Sequence, residues 1–349
     1  MKELFEPSRI VIIGAAREET KIGHIVLKNL IDSGFTGELV PINPKSSEIL
    51  GLKCYRSILD LPGPVDLAVI CVPNVFVPDV VEECGKKGVK AVIIISAGFK
   101  EMGREGAELE RKVAEIRQRY DMRILGPNCL GVINTHAKMN ATFTRNYPRS
   151  GPIAITSQSG AICSTLLDWS SEVKVGFSKF ISVGNKVDID EADLLEYLRD
   201  DPRTKVIGMY LEGTERGIEF MKQAALTSMS KPVIVLKSGR TSSGAKAASS
   251  HTGALTGSDN VYEAALGQSG TIRVKSLEEL FDLLLAFSNL PAIEPGGVAI
   301  VTNAGGLGVL AADSCGDYGL NMTVFTAETI QKLKANLPEE ANLYNPVDV

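Results

Sequence analysis

Uninterrupted runs of valine, isoleucine, leucine and alanine alternate along this chain with stretches where apolar residues recur every three or four positions. The first pattern reads as a parallel strand buried on both faces, and the second as an amphipathic helix. Arg9-Ile10-Val11-Ile12-Ile13-Gly14 predicts a first strand ending in a glycine turn, and residues 23–33 predict a helix closed by Gly34. Further strands are predicted at residues 37–43, 67–73 and 91–96, with helices over 78–87 and 105–120. This alternation implies a doubly wound α/β sheet, which places ligands at the carboxyl ends of its strands.

Residues 134–149 lose the alternation and include Pro148, which marks a domain junction. A second α/β unit follows, with strands predicted at 153–156, 177–183, 206–211 and 233–236, and Pro291, Pro295, Gly296 and Gly297 mark a second linker. The expected domains are residues 1–133, 148–290 and 296–349. An internal repeat supports the division: Ile153-Ala154-Ile155-Thr156-Ser157-Gln158-Ser159-Gly160 has the character of Val298-Ala299-Ile300-Val301-Thr302-Asn303-Ala304-Gly305-Gly306. Each copy is a β-rich run, a turn of small residues and a helix start. The last segment is too short for a complete α/β domain, so a truncated chain or a fragment is expected.

Composition narrows the function classes. A net charge of −5 over 349 residues offers no basic field, so nucleic acid is not an expected partner. No apolar run reaches the length of a membrane span and the N-terminus lacks a signal-peptide pattern. The six cysteines are scattered without a CxxC pair, as reduced core cysteines are, and a cytoplasmic protein is expected.

Three strand-to-helix turns offer backbone N–H groups to an anion. The first is Gly14-Ala15-Ala16-Arg17 leading to Lys21-Ile22-Gly23; it lacks the GxGxxG spacing of a dinucleotide site, which weakens a dehydrogenase reading. Small residues there still admit a nucleotide, and Arg17 or Lys21 are candidate phosphate partners. The second turn is Ser157-Gln158-Ser159-Gly160 and the third Asn303-Ala304-Gly305-Gly306. Tight turns and helix caps need the same residues, so each loop by itself leaves a purely structural role open. The P-loop pattern GxxxxGK[ST] is missing, so any ATP would be bound by another polypeptide or segment. Glu212 ends a predicted buried strand, where a carboxylate faces the ligand edge and can orient an imidazole. His251 lies in Ser249-Ser250-His251-Thr252-Gly253-Ala254, a run of small residues. Its residue type fits either a solvated loop histidine or a nucleophile working near its ordinary pKa.

Taken together, these motifs resemble the α subunit of NDP-forming acyl-CoA synthetases, the ADP-forming acetyl-CoA synthetase branch of the succinyl-CoA synthetase superfamily. The resemblance rests on the Gly14 to Gly23 turn, Val72-Pro73, Ser96-Ala97-Gly98-Phe99 and Leu125-Gly126-Pro127-Asn128-Cys129, in family order. It continues through Thr156-Ser157-Gln158-Ser159-Gly160, Glu212-Gly213, Ser250-His251-Thr252-Gly253-Ala254 and Thr302-Asn303-Ala304-Gly305-Gly306. One departure is Ala16, where many relatives place serine.

The resemblance implies a Rossmann-like CoA-binding domain followed by flavodoxin-like ligase domains, with parallel sheets flanked by helices. It implies that Gly14, Ala15, Ala16, Arg17, Lys21, Gly23, Pro73, Ser96, Ala97, Gly98 and Asn128 hold coenzyme A. Ser157, Gln158, Ser159 and Gly160, with Asn303, Ala304, Gly305 and Gly306, are implied to hold phosphate. His251 is implied to carry a phosphoryl group and Glu212 to fix its ring. The implied reaction interconverts acyl-CoA, ADP and phosphate with a small carboxylic acid, CoA and ATP. ATP/ADP and Mg2+ belong to an ATP-grasp β subunit or fused segment, so a hetero-oligomer is expected, and no metal site is assigned to this chain. The alternative is a non-catalytic CoA-binding regulatory module of a fused protein acetyltransferase, against which the presence of both His251 and Glu212 argues.

Overall fold

The computed structural model of the protein describes residues 1–173, 175–244, 246, 258–291 and 296–349. His251 and its neighbours in the small-residue run lie outside the described residues. The chain forms two compact units, Met1–Leu290 and Pro291–Val349.

The first unit opens with the short helix α1 (Lys2–Phe5) and strand β1 (Arg9–Ile13), then helix α2 (Ile22–Asp32) and strand β2 (Glu38–Ile42). A small hairpin, β3 (Glu48–Ile49) and β4 (Leu52–Lys53), precedes β5 (Leu67–Ile70), α3 (Val77–Lys87), β6 (Ala91–Ile94), α4 (Arg104–Tyr120) and β7 (Arg123–Leu125). The strands β2-β1-β5-β6-β7 form one parallel sheet. Within the sheet this is the sequential order 2-1-3-4-5, a doubly wound layout whose ligand crevice opens between β1 and β5.

The pleat explains the unbroken apolar runs. Ile10, Ile12, Leu67, Val69, Ala91 and Ile93 enter one core cluster, whereas Val11, Ile13, Ala68, Ile70, Val92 and Ile94 enter another. Both faces of the sheet are therefore covered, and neither set of alternating positions tolerates a polar residue. Each of the valine, leucine and isoleucine side chains among these contributes roughly 1.5–3 kcal/mol on burial, and the alanines less.

A second sheet is built from β8 (Gly131–Asn134), β9 (Met139–Thr142), β10 (Arg149–Ser157), β11 (Gly176–Ser182), β12 (Val206–Leu211), β13 (Val233–Lys237) and β14 (Ile272–Val274). Its order is β14-β13-β12-β10-β11-β8-β9, with β8 and β9 antiparallel at one edge. Its parallel strands repeat the 2-1-3-4-5 layout, so a second crevice opens between β10 and β12. Helices α5 (Gly160–Val173), α6 (Glu191–Asp200) and α7 (Gly217–Ser228) connect these strands, and the helices Asp259–Gln268 and Leu277–Asn289 complete the unit.

Strands β8 and β9 occupy the segment whose lost periodicity marks a junction in the sequence. They are four residues each, and both are buried along their full length, so no alternation advertises them. They matter for the architecture because one core cluster runs through both sheets: Ile10 and Val69 of the first share it with Ala154, Ile181, Ile207 and Val233 of the second. Asn29 of α2 donates to Thr142 O and Thr144 O, both at 2.8 Å, and Asn134 of β8 donates to Phe5 O at 2.8 Å.

The second unit has a short parallel pair, Val301–Thr302 with Val347–Asp348, and the helices Gly305–Asp317 and Ala327–Asn336. Asn345 binds it together, accepting from Ile300 N at 2.9 Å and donating to Val298 O at 2.7 Å and Thr323 O at 2.9 Å.

Candidate functional site

The first crevice takes its shape from Gly14, which follows β1 with φ +91°. A side chain there would stand 3.0 Å from the backbone of Cys71, just past β5, so only glycine lets the two strand ends close up. Gly23 is under a harder constraint: a Cβ would lie 2.0 Å from Gly14 O, because the first turn of α2 rests on that carbonyl. The loop is then fastened from outside. Asn43 donates to Ala15 O at 2.7 Å, the His24 ring nitrogen Nδ1 lies 2.9 Å from Ala16 O, and Arg17 Nε donates to Glu48 O at 3.2 Å. Beside it opens a cleft of about 430 Å³ lined by Arg17, His24, Ser47, Glu48, Ile49 and Leu50. Arg17 is exposed along it, and Lys21, exposed at the N-terminus of α2, pairs only loosely with Glu18 at 3.8 Å. A helix N-terminus with exposed cations at an open cleft suits a phosphate-bearing ligand such as CoA.

The other first-domain candidates converge on the neighbouring strand ends. Ser96 Oγ donates to Val72 O at 2.5 Å, placing it beside Pro73, and Asn128 N donates to Ser96 O at 2.9 Å. Asn74 Nδ2 donates to Gly98 O at 2.6 Å. The Glu101 carboxylate accepts from Gly98 N at 2.6 Å and Phe99 N at 3.0 Å, which draws residues 96–99 into a tight turn. Burial opposes its charge, yet these bonds and one from Asn185 hold the Glu101 carboxyl below its usual range.

Asn185 is the bridge onward, and the sequence alone gives no hint of it. Its amide donates to Glu101 at 2.6 Å and Glu110 at 2.9 Å, while its Oδ1 accepts from Asn128 Nδ2 at 3.3 Å. The next residue, Lys186, has φ +64° and donates to Gly213 O at 2.7 Å while pairing with the buried Glu191 at 3.1 Å. Burial raises the Glu191 carboxyl, and Lys186 and Gln158 oppose that rise. A continuous hydrogen-bonded chain thus runs from the Ser96–Asn128 turn to the second crevice.

At the second crevice Gln158, just past β10, ties down Glu212 and Gly213, just past β12. Its Oε1 accepts from Glu212 N at 2.7 Å and Gly213 N at 3.1 Å, and its Nε2 donates to Gly213 O at 2.7 Å and to Glu191. Glu212 is 7% exposed at the carboxyl end of its strand, as its place in the sequence predicts. Gln158 therefore spends its side chain on the Glu212 backbone, whereas Ser157, Ser159 and Gly160 form the entry to α5. Ser157 Oγ donates to Ser159 O at 2.9 Å and accepts from Ser159 N at 3.1 Å, and Ser159 Oγ accepts from Ile162 N at 3.4 Å.

The second unit repeats the two bonds that Ser157 makes with Ser159. Thr302 Oγ1 donates to Ala304 O at 3.2 Å and accepts from Ala304 N at 3.0 Å, just before the helix that begins at Gly305. The repeat seen in the sequence is therefore a repeat of geometry, with Ser157 equivalent to Thr302. Asn303, Ala304, Gly305 and Gly306 sit together at this helix entry, and Asp348 from the adjacent strand approaches Gly305 so closely that a Cβ there would lie 2.7 Å from its carboxylate.

Comparison with known proteins agrees with this geometry. The family described as a CoA binding domain matches residues 8–135, and the succinyl-CoA ligase-like flavodoxin domain matches residues 150–287. The chain is 52% identical over its whole length to the acetate–CoA ligase (ADP-forming) of Methanocaldococcus jannaschii, of which it covers 49%. It is 47% identical to the α subunit of acetate–CoA ligase (ADP-forming) I of Pyrococcus furiosus, covering 100% of this chain and 76% of that one. The dinucleotide-forming acetyl-coenzyme A synthetase 1 of Candidatus Korarchaeum cryptofilum, solved with phosphate and ADP, superposes with a TM-score of 0.95 at 43% identity. That match covers 99% of this chain and 75% of that structure. The chain thus spans about half the length of the first of these relatives and about three quarters of the other two. By sequence and by fold, this chain belongs to the family of ADP-forming acyl-CoA ligases.

Proposed function

We propose that the chain supplies the CoA-binding and phosphoryl-relay portion of an acid–CoA ligase that makes ATP from ADP. The observation that carries this is the meeting, at the β10/β12 switch point, of the α5 N-terminus and the Glu212 strand end, locked in register by Gln158. A helix N-terminus stabilises a phosphoryl group, and a neighbouring carboxylate stabilises and orients an imidazolium. In this reading residues 1–133, 148–290 and 296–349 act as three domains, the first holding CoA along the Gly14–Arg17 turn.

The reaction then runs in three balanced steps. Phosphate attacks the thioester carbonyl, the C–S bond breaks, and acyl phosphate and CoA result. His251 takes the phosphoryl group as the P–O bond to the acyl oxygen breaks, releasing the carboxylate. Phosphohistidine finally yields the phosphoryl group to ADP, which an ATP-grasp partner holds with Mg2+. The entry to α5 stabilises the phosphoryl charge in the middle step, and Glu212 orients the ring.

The test is to incubate the chain and its ATP-grasp partner with ATP labelled on the γ-phosphate. Wild type should acquire acid-labile, base-stable label and His251→Ala none. Equal labelling of both proteins would overturn the relay.

A further inference from the structure

His24 stands in the first turn of α2 and is 5% exposed. Its Nδ1 lies 2.9 Å from Ala16 O, and a carbonyl oxygen only accepts, so Nδ1 carries a hydrogen. The other ring nitrogen, Nε2, is therefore the one that gains or loses a proton. Among the described residues Nε2 has no hydrogen-bond partner, and the ring lines the cleft of about 430 Å³ together with Arg17 and Glu48. Arg17 spends its Nε on Glu48 O and leaves both terminal nitrogens unbonded among the described residues. The Glu48 carboxylate is exposed and, among the described residues, pairs with neither side chain. An imidazole that only braced a loop would need no cavity beside a cation. A charge on that ring repels Arg17 unless an anion lies between them.

We propose that this cleft receives the phosphorylated ribose of CoA, with Arg17 and His24 on the 3′-phosphate and His24 taking up a proton as the ligand binds. This rests on the CoA-binding reading above. In a doubly wound fold a diphosphate lies across the switch-point turn at the helix N-terminus, and its ribose falls toward the end of the second strand. The cleft lies on that side, because Ser47, Glu48, Ile49 and Leu50 follow β2. The Ser96–Asn128 turn lies on the other side, past β6 and β7, so the thiol arm runs toward the hydrogen-bonded chain that leads to the second crevice. Glu48 suits the neighbouring ribose hydroxyl, as an acidic residue after the second strand does in dinucleotide folds. A phosphate dianion shared by a guanidinium and an imidazole makes charge-assisted bonds to both and favours the protonated ring.

The charged and titratable groups about the ring are few. Arg17 and Glu48 share the cleft, and Glu18 and Lys21 pair with each other on the loop before α2. Cys54, past β4, has a thiol that burial raises, while a backbone bond from Asn43 and the charge of Arg17 lower it. On α2 itself Lys28 is held by Asp32 at 2.7 Å. The strands packed against α2, β1 and β9, add only Arg9, at the opposite end of β1.

The test is calorimetric titration of the complete enzyme, with its ATP-grasp partner, by CoA and by 3′-dephospho-CoA in buffers of different ionisation enthalpy. At about pH 7.5 a phosphate monoester is already a dianion, so any proton taken up goes to the protein. Wild type should bind CoA at least about tenfold more tightly than dephospho-CoA, as a charge-assisted contact requires, and take up a fraction of a proton with CoA alone. The complex then holds more protons than its parts, so the advantage of CoA should shrink as pH rises from about 6.5 to about 8.5. His24→Asn keeps a donor for Ala16 O and removes Nε2. It should lose about tenfold in CoA affinity and all of the proton uptake, and bind dephospho-CoA as wild type does. Arg17→Met should lose the same preference for CoA. Equal affinity of wild type for the two ligands would refute the subsite. Undiminished preference and uptake in His24→Asn, or equal loss of both ligands, would overturn the role of His24. If wild type binds neither ligand, the CoA-binding reading itself fails.

Discussion

Replacing Gln158 by alanine tests the clamp that registers the two strand ends of the second crevice. The side chain makes two bonds to backbone N–H groups, one to a carbonyl and one to the Glu191 carboxylate. At about 1 kcal/mol for each neutral bond and about 2 for the charged one, the gross loss is about 5 kcal/mol. Gln158 is half-buried, so water refills part of the gap and a net loss of about 2–3 kcal/mol is expected. The amides of Glu212 and Gly213 lose their acceptor directly, so their hydrogen exchange should quicken by about 30- to 150-fold, at tenfold per 1.4 kcal/mol. Mass spectrometry of short peptides spanning residues 206–216 reads this.

Gln158→Glu is the discriminating companion. It keeps an acceptor for both amides but faces Glu191 with a second carboxylate and no donor. Burial already raises the Glu191 pKa in the folded state, so the folded protein binds this proton more tightly than the unfolded chain. Stability tied to it is present at low pH and lost as pH rises from the usual carboxylate range through the raised value. The glutamate variant should therefore keep slow exchange at residues 212 and 213 yet lose more stability than wild type as pH rises above the usual carboxylate range. A fall in thermal midpoint for Gln158→Ala with unchanged exchange at residues 212 and 213 would refute the clamp.

Two further predictions address the buried ion pair and the CoA loop. Lys179 and Asp201 pair at 3.0 Å with side chains 1% and 6% exposed, so Asp201→Ala should cost about 3–5 kcal/mol by urea unfolding, and Lys179→Met with Asp201→Leu much less. Burial opposes the Asp201 charge, but Thr204 and Lys179 outweigh it and lower the pKa, so this stability holds above the ordinary carboxylate range and should fade as pH falls through the lowered value. Gly23→Ala would drive a methyl to 2.0 Å from Gly14 O and should weaken CoA binding by calorimetry at least about tenfold, whereas Gly217→Ala, with nothing within 4 Å, should bind CoA as wild type does.

Much of the fold was legible because doubly wound sheets bury strands on both faces. Val11 and Ile12 look equally apolar although they serve opposite cores, and a short run that is apolar at every position is what a strand covered on both sides requires. The short strands β7, β8, β9 and β14 escaped because three or four residues carry no periodicity. The site divides in the same way. Glycines whose Cβ would collide, and the strand-end Glu212, announce themselves through local geometry. Asn185, Lys186 and Glu191 do not, since an isolated polar residue in a turn, helix or strand looks alike whether it faces solvent or a partner dozens of positions away.

The sequence by itself determined the α/β class, the two switch-point loops and the repeated turn, because these follow from backbone sterics and the spacing of apolar residues. The pairing of Ser157 with Thr302 as equivalents needed the hydrogen bonds of each turn. Only the tertiary structure decided that Gln158 holds Glu212 instead of facing outward, and that Asn185 joins the two crevices of the first unit. It also showed that one core runs beneath both sheets. These are contacts between residues far apart in the chain, set by which strands the topology makes adjacent, and no local pattern encodes that adjacency.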